Sequence, residues 1–249
     1  TATEIVGPNP KITNLAAAVK VARHELLLIK DSNAVLERGG LADLVGELHG
    51  RVGMVCAIPI ATEPEGIAAE TERAMMNGQL APLVLAGSSL TIDIGYGKVM
   101  LVRRADFDAI DGIRVMAPHF GDDHALAMAL AARGQRTAFA ALPVRQPLHR
   151  RRFSDVADRQ LRWMVIRREQ AFLALFAEPF MTAAFVLVMA WVGAADFGVR
   201  PWSLVAGTAA FWVATELGFQ RAKGWGVAPA SLAGMALREI LIPVLWVRA

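Results

Sequence analysis

Glu25-Leu26-Leu27-Leu28-Ile29-Lys30-Asp31-Ser32-Asn33 is the stretch on which the fold class turns. A short apolar run without helical period predicts a buried strand, and Asp31 follows it directly. Residues 14–23 before it have helical character, and residues 41–48 after it predict another helix. Residues 52–58 form a second strand pattern closed by Pro59, and residues 67–80 read as helical. Beyond the turn at Gly95 and Gly97, residues 98–103 predict a short strand. Residues 122–133 are good helix formers closed by Gly134. Residues 136–142 read as a strand, and Ser154 is the expected N-cap of a helix reaching about Gln170. Strands alternating with helices over short connections predict an α/β domain with a mainly parallel, Rossmann-like sheet. In such sheets ligands bind beyond the carboxyl ends of strands, which is where Asp31 stands.

Composition divides the 249 residues in two. Residues 1–170 mix charge and apolar side chains as an ordinary globular domain does, whereas residues 171–249 are mostly apolar. The overall hydrophobic fraction of 55% and mean hydropathy of +0.39 are high for a purely soluble chain. The expected organisation is therefore an α/β domain over 1–170 and a membrane region over 171–249. That region has three apolar segments: 171–195 with the single charge Glu178, 201–219 with Glu216 near one end, and 228–247 interrupted by Arg238-Glu239. The first is long enough to cross a bilayer core of about 30 Å; the third can instead lie at the interface. Net charge is only +3, but Arg145, Arg150, Arg151, Arg152, Arg159, Arg162, Arg167 and Arg168 form a basic collar beside the apolar part. By the positive-inside rule that collar is cytoplasmic, and it needs no nucleic acid to explain it. The expected location is a membrane, the bacterial inner membrane, with the α/β domain on its cytoplasmic face. Cys56, the single cysteine, excludes an intramolecular disulfide and sits in an apolar run that predicts a buried structural thiol. The start at Thr1, with the turn-like Gly7-Pro8-Asn9-Pro10 close behind and no signal peptide, predicts that the natural protein begins earlier.

Three sets of residues can carry chemistry. Asp31-Ser32-Asn33 is a depleted D-x-D arrangement; carboxylates so placed hold a divalent cation against a nucleotide diphosphate, and oxygen ligands suit Mg²⁺ or Mn²⁺. An Asp after a strand also simply forms turns. Asp122-Asp123 opens a helix, where carboxylates complement the helix dipole. Its functional reading is a general base for an acceptor hydroxyl, and two adjacent acids resist ionising together, which raises the pKa of one. Arg159, Arg162 and Trp163 fall at i, i+3 and i+4 and share a helix face. Guanidinium forks match diphosphate oxygens, and the Trp can wall an acceptor pocket; a membrane-interface helix uses the same residue types as anchors. An acid pair, then R-x-x-R-W, then membrane-type sequence points to an enzyme that moves a sugar from a nucleotide onto a lipid. The histidines have no zinc spacing, and the chain lacks a phosphate-cradling P-loop motif.

At these residues the chain resembles the ceramide glucosyltransferases, a membrane branch of the inverting glycosyltransferases with the GT-A fold. The resemblance covers nearly the whole chain. Residues 7–15 are similar to the family's G-x-N-P-K-x-x-N-L segment, Asp31-Ser32 to its second acidic site, and residues 97–104 to G-K-x-M-L-x-R-R. Asp122-Asp123 stands where the family usually has Glu-Asp, and residues 159–163 match (Q/R)-x-x-R-W. Glu178-Pro179, Arg238-Glu239, Pro243 and Trp246 resemble the C-terminal membrane part. R-x-x-R-W alone also occurs in cellulose and hyaluronan synthases; the combination is more specific. The resemblance implies a GT-A-like domain followed by transmembrane or interfacial helices, with the family's first strand, first acidic residue and N-terminal membrane helix falling before Thr1. It implies that Asp123 is the catalytic base, that Asp31 helps hold the metal and UDP, and that Asp122 lies at the nucleotide sugar. Arg159 and Arg162 would sit at the diphosphate, Trp163 near the acceptor, and Lys11 and Asn14 beside the nucleotide pocket. The implied reaction is UDP-glucose plus ceramide giving glucosylceramide and UDP with inversion, a single in-line displacement for which one base suffices. A related transferase using a hopanoid or other lipid alcohol, or a non-catalytic membrane-bound relic, are the alternatives. A processive polysaccharide synthase calls for more than three C-terminal segments, and a small transporter does not account for the large polar α/β half.

Overall fold

The computed structural model describes residues 5–89 and 93–249. In chain order the elements begin with α1 (Pro10–Val21), β1 (Leu26–Lys30), β2 (Val35–Leu36), α2 (Gly40–Glu47), β3 (Val52–Cys56) and β4 (Pro59–Glu65). Then come α3 (Ile67–Arg73), which continues as a π-helix over Ala74–Leu80, α4 (Ala81–Ser89), β5 (Val99–Arg103), α5 (Arg104–Ala109), α6 (Gly112–Met116) and α7 (Asp122–Ala131). The rest is β6 (Arg136–Phe139), β7 (Val144–Arg150), α8 (Phe153–Gln170), α9 (Phe172–Ala177), a 3-10 turn (Glu178–Met181), α10 (Ala183–Gly193), α11 (Pro201–Ala222) and α12 (Ala230–Arg248). Two compact units result: Thr1–Ile60 with Ala81–Pro147, and Ala61–Leu80 with Leu148–Ala249. The contact boundary differs from the compositional one, because α3, the π-helix and the arginine-rich α8 pack with the apolar helices.

In the first unit a four-stranded sheet has the order β1-β5-β3-β6. The α/β class is the expected one, but the sheet is mixed rather than mainly parallel: β3 and β6 are parallel, while β1/β5 and β5/β3 are antiparallel. Apolar runs announce strands without fixing their direction, and direction is where the sequence reading went astray. The inner strands β3 and β5 are apolar on both faces. Met54, Cys56, Met100 and Val102 face Ile12, Phe107, Met116, Leu126 and Leu130. The alternate residues Val55, Val99 and Leu101 face Leu44, Ala140 and Val144. β1 is an edge strand, so Leu27 and Ile29 enter the core whereas Leu26 and Leu28 remain 39% exposed. Both arginines of the 97–104 segment are structural. Arg103 donates to the carbonyls of Val52 (2.7 Å) and Leu48 (2.8 Å), and Arg104 to those of His24 and Ala22 (2.9 Å each).

A second sheet has the order β2-β7-β4, and both β4 and β7 carry the chain from the first unit into the second. Pro59, read as a strand terminator, opens β4; proline is tolerated as a first strand residue, where its own missing N–H interrupts no ladder. β7 escaped the sequence reading because its arginines and Pro147 mask an alternating burial pattern.

In the second unit the expected helix over 67–80 is α only to Arg73 and π beyond it. The π turn is fixed by the buried Asn77, whose Oδ1 accepts from the Ala61 N–H (2.8 Å) and whose Nδ2 donates to the Ala61 carbonyl (3.0 Å). Arg238, 2% exposed, binds the same turn through the Ala74 carbonyl (3.0 Å) and forks onto Glu216 at 2.8 and 2.9 Å. Glu239 accepts from Arg238 (2.7 Å) and from the Ala184 N–H at the start of α10 (3.1 Å). The segment expected to cross as one helix over 171–195 is bent by 54° between the α9–3-10 stretch and α10. Pro179 and the Thr182 N-cap, which accepts from the Phe185 N–H (3.3 Å), mark the break. Among the described residues α12 is long and apolar enough to cross a membrane, and α9 with α10 passes the same test as a bent pair. The helix after Arg152 is capped by Asp155 accepting the Arg152 N–H (3.1 Å), with Arg152 rather than Ser154 at the N-cap.

Gly78 lies under the Arg238–Glu216 pair, and a Cβ there would stand 1.9 Å from Glu216 Oε1. Gly78→Ala should therefore lower the unfolding midpoint in detergent by an amount equivalent to about 1–3 kcal/mol, the usual cost of overpacking. Gly207→Ala, where a Cβ meets nothing within 4 Å, should leave the midpoint unchanged or raise it. Equal midpoints for the two variants would show that the buried pair does not require the glycine.

Candidate active site

Lys11, Asp31 and Asp122 meet in the first unit, and local sequence explains why. Asn9 caps α1 by accepting the Lys11 N–H (3.1 Å), and its Nδ2 donates to the His119 carbonyl (3.0 Å). Pro10 follows in the first turn, where a missing N–H costs nothing. Gly7 approaches Ala117 so closely that a Cβ would stand 2.6 Å from its carbonyl oxygen. These contacts tie the start of α1 to the segment entering α7. Lys11 Nζ then lies 2.8 Å from Asp122 Oδ2 and 3.5 Å from Asp31 Oδ1. Asp31 follows β1, and its N–H donates to the Lys98 carbonyl (3.0 Å). Asp31 Oδ2 accepts from Lys98 Nζ (3.0 Å), which also donates to Asn33 Oδ1 (3.3 Å). Charge therefore alternates along Asp122, Lys11, Asp31 and Lys98. The Asp122 side chain is 7% exposed and that of Lys11 36%, so one end of the row is buried while its middle is open to solvent. Asn14 is exposed on α1, one turn beyond Lys11.

Asp123 is half-buried beside this row. Gly95 and Gly97 press on it: a Cβ would stand 2.0 Å from the Asp123 carbonyl oxygen at Gly95 and 3.0 Å from Asp123 Oδ2 at Gly97. Burial first, and the charge of Asp122 second, push the Asp123 carboxyl up to about 6. The backbone N–H groups of His124 and Asp123 itself, with Lys11, pull the other way and lose. Burial by itself would lower the affinity of Lys11 for its proton, but Asp122, Asp31 and Asp123 together raise it above the ordinary value, so Lys11 stays cationic. Cys56 is buried, and its thiol is pushed up to about 12, which leaves it a structural side chain.

Arg159, Arg162 and Trp163 lie in the second unit on α8. Arg159 Nη1 donates to Oε1 of the fully buried Glu72 at 2.5 Å, and Arg151 Nε lies 3.6 Å from the other oxygen. Trp163 packs on Ala61, Ala69, Met76 and Leu148. Arg162 is exposed and forms no ion pair among the described residues.

A divalent cation at Asp31 would need a carboxylate oxygen free to ligate. Both Asp31 oxygens face ammonium groups, and the oxygen of Asn33, at the third position of the D-x-D, accepts from Lys98. As arranged, these residues do not fit a chelated cation. Among the described residues no group of three or more His, Cys, Asp or Glu converges on a point.

The sequence profile of glycosyl transferase family 21 matches residues 1–249. The chain belongs to glycosyl transferase family 21. Two Caenorhabditis elegans proteins are similar to it. Ceramide glucosyltransferase 3 is 26% identical over 178 residues, 71% of this chain and 39% of its own length. Ceramide glucosyltransferase 1 is 27% identical over 166 residues, 66% of this chain and 36% of its own length. The family 21 chain thus spans less than two-fifths of the relatives it matches.

Three features of this family 21 chain escaped the sequence reading. Lys98 lies within the 97–104 segment, whose pattern assigns it no role; its place opposite Asp31 follows from the β1/β5 register, Lys30↔Val99, which a single sequence does not give. Gly95 and Gly97 read only as a turn. Glu72, inside an ordinary helical pattern, carried no signal at all.

The raised pKa of Asp123 has a consequence for stability. A carboxyl whose folded-state pKa exceeds its unfolded value binds more protons in the folded protein, so stability falls as pH rises from about 4 through 6. Above that window the full penalty is present. Asp123→Asn should therefore raise folding stability by roughly 1–2 kcal/mol at pH 7.5 or so, discounted for solvent access, with the gain vanishing below about pH 4. A variant of unaltered stability across that range, followed by thermal unfolding, would place the carboxyl at its ordinary value.

Proposed function

We propose that the protein transfers glucose from UDP-glucose to the primary hydroxyl of ceramide with inversion, from the cytoplasmic face of a membrane. Family membership and the two ceramide glucosyltransferase relatives support the class. The observation that carries the mechanism is Asp123, a carboxyl raised to about 6 beside a row of paired acids and lysines. A base poised near 6 is ionised at neutral pH and still accepts a proton more readily than an ordinary aspartate. Asp123 takes the proton of the acceptor hydroxyl as the oxygen attacks the anomeric carbon from the face opposite the diphosphate. The bond from that carbon to the β-phosphate oxygen breaks, and its electron pair leaves with UDP. Lys11, Asn14, Asp31 and Asp122 serve the nucleotide sugar in this reading. Arg162, exposed and unpaired among the described residues, supplies charge to the leaving diphosphate. Arg159 commits one donor to Glu72 and keeps its others for the same role. Trp163 borders the acceptor, and α12 with the bent α9–α10 pair keeps the protein at the lipid surface.

The test is transfer of labelled glucose from UDP-glucose to ceramide in membranes carrying the full-length protein. Asp123→Asn should abolish labelled lipid while leaving UDP binding within about twofold, and the wild-type kcat/KM should rise with pH through about 6 as Asp123 ionises. Normal turnover by the variant would remove Asp123 from the role of base. Arg162→Ala should slow transfer by about 10²–10³, as loss of one group stabilising developing charge does. Unchanged kinetics there would reduce Arg162 to a membrane anchor. Labelled product with a different lipid and none with ceramide would reassign the acceptor.

A further inference from the structure

We propose that Lys98, together with Lys11, supplies the positive charge that holds the donor's diphosphate, so that nucleotide binding does not require a divalent cation. The inference rests on the reading of this site as one for a nucleotide-sugar donor.

A cation-binding D-x-D presents two free carboxylates, a local charge of −2 matched to a divalent ion. Here the third position is Asn33, and Lys98 has joined the group. With Asp31 at −1, Asn33 at 0 and Lys98 at +1, the sum is zero. A metal ion approaching Asp31 would have to displace an ammonium from one of its oxygens and then remain beside both lysines, so like-charge repulsion opposes it. A diphosphate meets Asp31 and Asp122 as well as the two lysines, so what favours it is the lysines' remaining donors rather than net charge. An ammonium group has three donors; Lys98 spends two on Asp31 and Asn33, and Lys11 spends one strong contact on Asp122. The lysines are thus oriented by their acids in advance, with donors to spare for phosphate oxygens. Lys98 is mostly buried, at 16% exposure, so its charge is little screened and an anion placed against it gains more than at an open surface. Asn33 complements this role: its amide oxygen steers Lys98 without adding a negative charge that would repel a phosphate.

The experiment is titration of UDP into the purified full-length protein by calorimetry, in excess EDTA and again with Mn²⁺, for wild type, Lys98→Met and Lys98→Arg. The wild type should bind UDP in EDTA within about threefold of its affinity in Mn²⁺. Lys98→Met should lose at least about tenfold in EDTA, and Lys98→Arg, which keeps the charge, should recover most of that loss. Wild-type binding that vanishes in EDTA and returns with Mn²⁺ overturns the inference while leaving the transferase reading in place. Lys98→Met binding as tightly as wild type in EDTA overturns it as well. Absence of UDP binding in both conditions, from protein whose unfolding midpoint is normal, removes the donor site itself and with it both readings.

Discussion

A carboxylate withdrawn from water must be matched by a cation or take up a proton, and the 2.8 Å pair between Lys11 and the buried Asp122 is where the site meets that constraint. To bring the lysine there, the start of α1 has to sit against the segment entering α7, and Gly7, Asn9 and Pro10 each serve that approach. With Asp122 paired to Lys11, Asp123 one residue later faces a low-dielectric surround and the charge of its neighbour. Its elevated proton affinity comes first from that burial and second from the charge of Asp122, with Lys11 opposing both. The same lysine reaches Asp31 at the end of β1, so the edge strand's polar terminus and the helix start share one cation.

The second unit solves the same problem with arginine. Glu72 is compensated by Arg159 and Arg151, and Glu216 and Glu239 by Arg238. Guanidinium suits these places because its planar fork satisfies two acceptors at once and does not deprotonate on burial. Arg238 uses this capacity fully, binding two carboxylates and the carbonyl of Ala74. What read in the sequence as a charged interruption of an apolar segment is, in the structure, the link between α11, α12 and the π-helix.

Much of this was legible from the chain alone, because it depends on local pattern. The helices α1, α2, α7 and α8 and the strands β1, β3, β5 and β6 follow from apolar runs and their punctuation, with ends displaced by a few residues. The misses have physical reasons. Pro59 looks like a breaker but opens β4, Pro147 lies inside β7, and strand direction leaves no trace in a run such as Val99–Arg103. The candidate site was legible as residue types and opaque as an arrangement. Lys11 and Asp122 stand 111 positions apart, and Arg159 and Glu72 stand 87 apart. Pairings at such separations are decided by topology. Repulsion between adjacent acids was the readable part of Asp123's behaviour; burial, the larger cause, was not readable.

The R-x-x-R-W motif shows how such an arrangement sorts residues that a sequence treats alike. The first position of the family pattern accepts Gln or Arg, and the second is Arg. In this chain the first arginine donates to a buried carboxylate, a task that needs a hydrogen-bond donor at the right reach. A glutamine amide also donates there, although without charge it leaves more of the compensation to Arg151. The second arginine is exposed and unpaired among the described residues, so no neighbour consumes its charge. In this chain Glu72 is the residue that separates the two arginines, engaging one and leaving the other exposed.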